Sequence, residues 1–339
     1  MVNQVSETTS SGSDSRSVEA KDESDKSGED AKRALSSSTS PRPIASALTT
    51  KPAFTGLPVN DGREGAGGLA KTITALESDG FSRFTLGAMV SHYPALANFA
   101  TFAARASRDL PPDPYDKTGG RRRRYAQFLA HKRNGHIEAT PIHRVFDEQG
   151  EPKTIYLQSG TYQPDFGDVE RVFASLSDQQ IWDPVVHDLI RLTIQMAIAT
   201  GTLPNGEAFI VGFHINQQFP RSDGTPARVS PNKFHRDGEP VTMAVLCGRD
   251  NVEGGETFVG SLATVGQTPD TVSPEGILSR FILSRIGEAY VVDDRRVAHH
   301  AEGVVRSNPS IDGHRTMILV DACPIKRVFS HEIPTQAKS

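Results

Sequence analysis

The stretch EAFIVGFHINQQF, residues 207–219, decides the fold class, because it is an apolar run rich in β-branched and aromatic residues. Further stretches downstream share this texture and are separated by Gly, Pro, Asn and Asp breaks: PVTMAVLCG (240–248), GETFVG (255–260), LSRFILSRIGEAYVV (278–292) and HRTMILVDA (314–322). Several short strands with turn signals between them predict a sandwich, jelly roll or barrel. The sequence has neither an alternating βαβ rhythm nor an internal repeat, so we expect a mainly β domain with flanking helices.

The part of the chain before these strands contains two segments with helical periodicity. Residues 69–76 have apolar side chains on one helical face, and Gly80 ends this segment before the short strand pattern FSRFTL. Residues 183–201, DPVVHDLIRLTIQMAIATG, combine helical spacing of apolar residues with a terminal glycine, which predicts a core helix packed on a sheet. Residues 105–150 are polar, and we expect them to be rich in loops.

The N-terminal residues differ in composition from the rest of the chain. Residues 1–65 are rich in Ser, Thr, Asp, Glu, Lys and Gly and poor in large apolar residues. Such a segment buries too little apolar surface to offset the entropy lost on ordering. We therefore predict a disordered Ser-rich tail over 1–65 and one folded domain over 66–335.

Charge and composition exclude several classes of partner. The 339 residues carry 37 Lys and Arg against 41 Asp and Glu, a formal net charge of −4, which gives no electrostatic support for nucleic-acid binding. No apolar run reaches the ~18–20 residues that span a bilayer. Two cysteines in apolar stretches indicate reduced thiols rather than a disulfide framework. We expect a soluble cytoplasmic protein, and its oligomeric state stays open.

The segment FHRDGEP places His235 and Asp237 two residues apart, so both side chains face the same way in an extended strand. AHHAEGV supplies the adjacent His299 and His300, which point to opposite faces of a strand, so at most one of them can join that pair. Two histidines and one carboxylate on one face of a metal form the facial triad of non-haem Fe(II) oxygenases. This triad is the most specific chemistry that the sequence indicates.

Arg315 follows these residues in the apolar strand HRTMILVDA. A guanidinium is costly to bury without a partner, and its fork matches a carboxylate in bidentate geometry. The partner is either an acidic residue in an internal salt bridge or the carboxylate of a ligand.

The order of these features resembles that of the Fe(II)/2-oxoglutarate-dependent dioxygenases. The local sequence is most similar to the bacterial L-isoleucine dioxygenase group of free amino-acid hydroxylases. The matching stretches are RRRRYAQF (121–128), QSGTYQPDFGD (158–168), GFHINQQF (212–219), FHRDGEPV (234–241), GGET (254–257), HHAEGV (299–304) and HRTMILV (314–320). The resemblance implies a double-stranded β-helix core. It also implies an enzyme that uses Fe(II), 2-oxoglutarate and O₂ to hydroxylate an unactivated C–H bond of a free amino acid or an amino-acid-derived small molecule, releasing succinate and CO₂.

The same resemblance implies three iron ligands and one residue that binds the distal carboxylate of 2-oxoglutarate: His235, Asp237, His300 and Arg315. His300 is preferred over His299 because the group's distal ligand is followed by Ala and two more residues before an apolar one, as in HAEGV. The hydroxyl of Thr257 or of Thr316 would assist in holding the co-substrate.

The presence of Asp237 bears on the type of reaction. Halogenating relatives lack this carboxylate, because chloride takes its coordination position, so its presence favours hydroxylation or desaturation.

A free amino acid as substrate needs a cation for its carboxylate and an acceptor for its ammonium group. The candidates for the first role lie in the arginine run: Arg122, Arg123 and Arg124. The candidates for the second are Asp165 and Glu239, and plausible polar contacts are Gln158 and Tyr162. His214 is either a hydrogen-bonded core histidine or part of the active-site lining. A polar run of this kind is also typical of a solvated or internally paired face. The alternative is therefore that the arginines lie on such a face and do not contact a substrate.

Three other functions compete with amino-acid hydroxylation. The first is the same chemistry on a peptide or a larger natural-product intermediate. The second is a catalytically silent jelly-roll binding protein, against which the intact set of ligand residues argues. The third is nucleic-acid demethylation through the arginine run, against which the near-neutral charge argues.

Overall fold

The computed structural model describes residues 68–133, 136–157, 169–205, 208–228 and 231–325. The predicted tail and both predicted boundaries of the folded domain lie outside these residues. The helices are α1 (Leu69–Asp79), α2 (Phe99–Ala106), α3 (Asp178–Ile181) and α4 (Pro184–Ala199). The strands are β1 (Phe81–Thr85), β2 (Arg121–Arg133), β3 (His136–Ile142), β4 (Arg144–Phe146), β5 (Pro152–Tyr156), β6 (Arg171–Ala174), β7 (Ala208–Gln218), β8 (Val241–Asp250), β9 (Val252–Gly254), β10 (Thr257–Ser261), β11 (Ile277–Phe281), β12 (Glu288–Asp293), β13 (Val297–Ala301), β14 (Val304–Arg306) and β15 (His314–Pro324).

Seven antiparallel strands form the major sheet, in the order β1-β12-β8-β15-β7-β2-β3. The expectation that residues 105–150 are loop-rich is wrong for β2, which pairs with β7 from Arg121 to His131. The charged side chains of β2 concealed this strand in the sequence, since a strand that lines a polar cavity lacks the apolar alternation of a core strand.

A smaller sheet, β11-β10-β13, forms a second layer. An isolated antiparallel bridge between His235 and His299 adds the segment before β8 to the edge of β13. Two short ladders, β14-β9 and β4-β5-β6, complete the strand pairing of the described ranges. Buried residues of β8, β12 and β15 pack against β10, β11 and β13 in one apolar cluster, so the two sheets face each other. This arrangement is a double-stranded β-helix with flanking helices, as the sequence predicted.

The two faces of the major sheet have different tasks. Alternate residues such as Phe213, Val245 and Ile318 lie on the outer face and join one large apolar core with α1, α2 and α4. The residues between them point to the inner face, toward the smaller sheet. The outer face therefore holds the fold together, and the inner face is left for a site.

The two helices that the sequence predicted are confirmed. Gly80 ends α1 in the left-handed conformation with φ 79°, and its N–H bonds to the Leu76 carbonyl. Asp183 caps α4 by accepting a hydrogen bond from the Val185 N–H at 2.9 Å. Within the described ranges, none of the helices combines the length and the hydropathy that a membrane span requires.

Truncation of Phe213 tests the outer core. Phe213 is fully buried on β7, so Phe213→Ala should lower the free energy of unfolding by about 3–5 kcal/mol, because it removes apolar contacts and leaves a cavity. Val265, which is 47 % exposed, provides the control: Val265→Ala should change the free energy of unfolding by no more than about 0.5 kcal/mol. Urea denaturation followed by circular dichroism measures both, and equal losses in the two variants would contradict this placement of the core.

Candidate active site

A cavity of about 310 Å³ opens between the inner face of the major sheet and the smaller sheet. Its walls carry charged and polar side chains from β2, β7, β15 and the segment before β8, with a few apolar residues between them. The lining residues are Tyr115, Asp116, Arg121, Arg123, Tyr156, Arg171, His214, Asn216, Arg228, Pro231, His235, Asp237, Glu239, Thr242, Ala244, Tyr290, His299, Ala301, Arg315, Met317, Leu319 and Asp321. A cavity of this size suits small molecules.

Two histidines and one aspartate converge on this cavity. One potential ligand atom from each of His235, Asp237 and His299 lies within 4.8 Å of the other two. The Asp237 carboxylate oxygens lie 3.6 Å from Nε2 of His235 and 3.2 Å from Nε2 of His299. Two imidazoles and one carboxylate on one side of a point are a donor set that suits a divalent iron ion.

Backbone pairing brings these residues together. The His235 N–H donates to the His299 carbonyl at 2.9 Å, and the His299 N–H donates to the His235 carbonyl at 3.0 Å. The Nδ1 atom of His235 lies 3.0 Å from the Lys233 carbonyl oxygen. A carbonyl can only accept, so Nδ1 carries the proton and Nε2 keeps its lone pair toward the cavity.

Asp237 and His299 stabilise each other's charged forms. Burial alone would raise the pKa of Asp237, but His299 and His235 outweigh burial and lower the pKa. Burial alone would lower the pKa of His299, but the carboxylate of Asp237 raises this pKa well above its ordinary value. The site thus favours positive charge beside Asp237, and a divalent cation can supply it in place of a proton.

The choice of His300 as the distal ligand is wrong, because adjacent residues of β13 point to opposite faces. The His300 ring lies 6.0 Å from the rings of both Phe234 and Phe258, on the outer side of the smaller sheet. The His299 ring instead lies 4.5 Å from the ring of His235. Strand alternation already showed that only one of the two could join the site, and the motif selected the wrong one.

Arg315, the residue expected to bind the distal carboxylate of 2-oxoglutarate, lines the cavity and is 2 % exposed. Its Nη1 donates to Oε1 of Gln218 at 3.0 Å, whereas its Nε has no hydrogen-bond partner among the described residues. Burial, opposed by Tyr290, lowers the pKa of Arg315 to about 10. A buried guanidinium with an unused donor is suited to an anionic group of a ligand.

Gly255 of the GGET motif makes room for this arginine. A Cβ atom at Gly255 would lie 3.3 Å from both Cδ and Cζ of Arg315 and 3.0 Å from Cγ1 of Val304. Its φ of +74° also falls in the left-handed region, which favours glycine. The motif therefore has a steric role next to the guanidinium.

Neither threonine proposed to assist Arg315 lines the cavity. Thr316 lies on the opposite face of β15, where its hydroxyl accepts a hydrogen bond from Nε2 of Gln217 at 3.0 Å. Thr257 is fully buried opposite Ala301 on β13 and does not reach the cavity wall. The alternation along β15 rules out the role proposed for Thr316.

Alternation along β2 divides the arginine run between two sides of the sheet. Arg121 and Arg123 line the cavity. Arg122 lies over the Phe219 ring at 4.7 Å, and Arg124 donates to the Ser175 carbonyl at 2.8 Å. The expectation that Arg122 and Arg124 contact a substrate is therefore wrong, whereas Arg123, the third candidate of the run, faces the site.

His214, which the sequence left as a core or a lining residue, lies in the cavity wall between a cation and an anion. Nη2 of Arg123 approaches its Nδ1 at 2.6 Å, and its Nε2 lies 2.8 Å from the Asp321 carboxylate. Arginine can only donate, so Nδ1 accepts and the proton of the neutral ring sits on Nε2. Burial and then Arg123 lower the pKa of His214, in agreement with a neutral ring.

Arginines and aromatic rings from β2, β5 and β6 lie together beside His214. The Arg171 guanidinium lies 4.7 Å from the centre of the Tyr156 ring, and Arg123 lies 4.4 Å from the Phe173 ring. Arg121 pairs with the buried Asp113 at 2.6 Å. Burial and then the neighbouring Arg121 lower the pKa of Arg123 to about 10. Arg123 also lies 3.9 Å from the Asp113 carboxylate, so the two arginines share one buried aspartate.

Carboxylates line the same cavity as these arginines. Glu239 lines the cavity, and burial followed by the charges of Asp321 and Asp237 raises its pKa well above the ordinary value. Within the described residues, no Lys or Arg forms an ion pair with the Glu239 or Asp321 side chain. Asp321 is fitted to its place: a Cβ atom at Gly212 would lie 2.5 Å from its Oδ1, and the Gly212 N–H donates to it.

The sequence analysis named some of these residues and missed others. Gln158, Tyr162 and Asp165 lie outside the described residues. The residues missed were Tyr156, Arg171 and Asp321. Asp321 carried a usable signal, because it lies six positions after Arg315 on the same strand and therefore shares its face. Tyr156 and Arg171 lie on the short strands β5 and β6, whose pairing no pattern indicated.

Comparison with known proteins identifies the class to which this fold and site belong. The family model described as "2OG-Fe dioxygenase" matches residues 104–321. The chain therefore belongs to the 2OG-Fe dioxygenase family, whose members use Fe(II), 2-oxoglutarate and O₂. A more particular similarity is to the L-isoleucine-4-hydroxylase of Bacillus thuringiensis, with 27 % identity over 107 residues. That match spans 31 % of this chain and 44 % of the hydroxylase, less than half the length of the relative.

Solved structures share the fold over most of their length. A bsmA homolog from Methylobium petroleophilum PM1 is 24 % identical with a TM-score of 0.62, and the match covers 76 % of this chain and 94 % of that one. The structure of IDO from Bacillus thuringiensis is 20 % identical with a TM-score of 0.57, over 76 % and 99 % of the two chains. At this level of identity, the two structures support the jelly-roll fold alone.

The placement of the distal histidine can be tested with a matched pair of variants. His299→Gln should weaken divalent-metal binding by more than the ~10–100-fold typical of residues behind the ligands, because it removes one of three donors. His300→Gln should bind metal like the unchanged protein, because its side chain lies among Phe234 and Phe258. Titration calorimetry with Mn(II) measures both affinities. Loss of binding in His300→Gln alone would reverse the assignment.

Proposed function

We propose that this protein hydroxylates an unactivated C–H bond of a free amino acid or a small amino-acid derivative, with Fe(II) and 2-oxoglutarate as cofactor and co-substrate. The observation that carries this proposal is the charge pattern of the cavity. Arg123 and Arg171 line the same cavity as Glu239 and Asp321, so groups that suit both charges of a small zwitterion are present together. The His235, Asp237 and His299 group lies in the same cavity.

The donor set of this group fits Fe(II). His235, Asp237 and His299 would hold the ion from one side and leave other positions for co-substrate and O₂, as in a facial triad. A bound Fe(II) would use 2-oxoglutarate and O₂ to supply the oxidant for the C–H bond: one oxygen atom of O₂ would enter succinate as CO₂ is lost, and the other would enter the new hydroxyl group. The chain's own residues bind, orient and shield the reactants.

Arg315 is suited to the distal carboxylate of 2-oxoglutarate. Its guanidinium lines the cavity without an acidic partner among the described residues, and its Nε has no hydrogen-bond partner there. Met317 and Leu319 follow it on the same face of β15 and give the apolar surface that a methylene chain requires.

The substrate would lie between the metal group and the arginines Arg123 and Arg171. Arg123, whose Nε has no hydrogen-bond partner among the described residues, would bind the substrate carboxylate together with Arg171. Glu239 and Asp321 would accept hydrogen bonds from its ammonium group. Neutral His214 keeps Arg123 and Asp321 at a fixed separation, so that both charges of the substrate are recognised together.

The cavity is small and offers partners for both a carboxylate and an ammonium group. It therefore favours a free amino acid over a peptide, because each peptide bond removes one of these two charges. The similarity to an L-isoleucine-4-hydroxylase supports the same class of substrate. The silent binding protein remains as an outcome of the experiment, since such a protein would bind ligands without forming succinate.

Optical spectroscopy provides the first test. Anaerobic addition of Fe(II) and 2-oxoglutarate should give the visible charge-transfer band of the iron chelate, and His299→Gln should lack it. Arg315→Leu should weaken 2-oxoglutarate binding by about 10–100-fold, because it removes a charged hydrogen-bonded pair of about 1.5–3 kcal/mol. Titration of the band measures this change. No band in the folded, iron-supplied wild-type protein would contradict the proposed function.

Steady-state kinetics test the substrate. Free L-amino acids, their N-acetyl forms and their amides are compared by succinate formation and by mass spectrometry of the hydroxylated product. The free forms should react and both blocked forms should fail. If capped peptides react better than free amino acids, the peptide alternative replaces this proposal. If succinate forms with none of the compounds, the substrate class is wrong.

A pair of neighbouring arginines provides the matched control. Arg123→Gln should raise KM for the amino acid by about 10–100-fold, because a buried charge-assisted contact is lost. Arg122→Gln should leave KM unchanged, because its guanidinium lies over Phe219 outside the cavity. The same rise of KM in both variants would show that the effect comes from β2 as a whole rather than from the cavity.

A further inference from the structure

Asp294 lies directly behind the candidate metal ligands. It follows the last residue of β12, precedes His299 by five positions, and is 1 % exposed. Its side chain does not line the cavity. The carboxylate instead lies between the two chain segments that supply the ligands, the HRDG segment and β13.

One oxygen of this carboxylate holds the first segment. Oδ2 of Asp294 accepts hydrogen bonds from the backbone N–H groups of Asp237 and Gly238, the second at 3.1 Å. Arg236 adds a third link, since its Nε donates to the Asp294 carbonyl at 2.6 Å. These bonds fix the backbone at the residue whose carboxylate points to the metal position.

The other oxygen faces the second segment. Oδ1 of Asp294 lies 3.3 Å from Nδ1 of His299, on the side of the ring opposite the cavity. The two atoms are not aligned as a hydrogen bond, but a carboxylate at this distance attracts a proton to Nδ1 and so favours that tautomer. Nε2, which lies 3.2 Å from the Asp237 carboxylate, then has its lone pair free for a metal.

The adjacent Asp293 has a different task. It is buried to a similar degree, at 2 % exposed, but its carboxylate pairs with Arg295 at 2.7 Å and accepts from Thr202. Asp293 therefore anchors a loop near the end of α4, away from the ligands. Asp293 and Asp294 are adjacent and equally buried but have separate partners. A variant at Asp293 therefore controls for the general effect of losing a buried carboxylate.

We propose that Asp294 is a positioning residue that fixes both ligand segments and sets the tautomer of His299 for metal binding. This inference rests on the proposed function, because it needs His235, Asp237 and His299 to be the metal ligands. Asp294 touches neither substrate nor co-substrate. Its effect is on metal affinity and on the location of a proton.

The test compares Asp294→Asn with Asp293→Asn in the full-length protein. Asn at 294 can still accept from the two backbone N–H groups, but it presents an amide donor to Nδ1 of His299 and so favours the wrong tautomer. Asp294→Asn should weaken Mn(II) binding by ~10–100-fold, the range for partners behind metal ligands. Asp293→Asn should keep the wild-type affinity although its melting temperature falls. Equal affinities in Asp294→Asn and the wild type, or equal losses in both variants, would overturn the proposal.

The proton itself is measured in the wild-type protein, so the test does not depend on a variant that folds. The ¹⁵N-histidine-labelled protein is loaded with Zn(II) as a diamagnetic probe, and His299 is assigned with His299→Gln. Its Nδ1 should carry a proton that exchanges slowly with water, and Nε2 should be bound to metal. Metal on Nδ1, or a rapidly exchanging Nδ1 proton, would overturn the proposal. A wild-type protein that binds neither Mn(II) nor Zn(II) would instead remove the metal site and with it the proposed function.

Discussion

Both faces of the major sheet are covered, and the rest of the structure depends on this constraint. Each central strand has to present an apolar surface to the helices and a different surface to the cavity. The period of two along a strand makes this possible, since Phe213 and Ile215 face the helices while His214 and Asn216 face inward. The fold and the site are thus encoded in alternate residues of the same segments.

The charged side chains of the inner face are buried, which costs free energy. Isolated charges away from water cost several kcal/mol each, so most of those near the cavity have partners, such as Arg121 with Asp113 and His214 with Asp321. Two groups stand apart: Arg315 has no acidic partner and Glu239 has no basic one among the described residues. These are the positions where an anionic and a cationic group of ligands would complete the pairing.

Much of the fold could be predicted from the sequence because periodicity reports burial directly. The strands around 207–219, 240–248 and 314–322 carry a continuous set of apolar residues on the face that packs on the helices, and the helix over 183–201 has a cap and a terminal glycine. The strand β2 could not be predicted, because its charged side chains are satisfied by groups from distant parts of the chain. The contacts that stabilise this strand come from the cavity, and no local sequence pattern reports them.

The site was harder to predict than the fold for a related reason. A motif identifies residue types in order, whereas a site requires the face on which each side chain lies. The motif selected His300 although His299 faces the site, and it left Arg122 and Arg123 of the RRRR run undecided. In both cases the choice depends on the register of one strand against its neighbour, and a shift by one residue exchanges the two faces.

Glycine supplies information on the register that charged residues alone do not. Gly212 makes room for the Asp321 carboxylate on the neighbouring strand, and Gly255 makes room for the Arg315 guanidinium. A glycine inside a strand weakens it and exposes no side chain to pack, so its presence there indicates that something bulky approaches. In GFHINQQF, the glycine of β7 therefore marks the side of the chain on which a buried charge lies, whereas Gly255 leaves such room from the turn between β9 and β10. Both charges belong to β15, at positions 315 and 321, so the inner face of that strand follows from its neighbours.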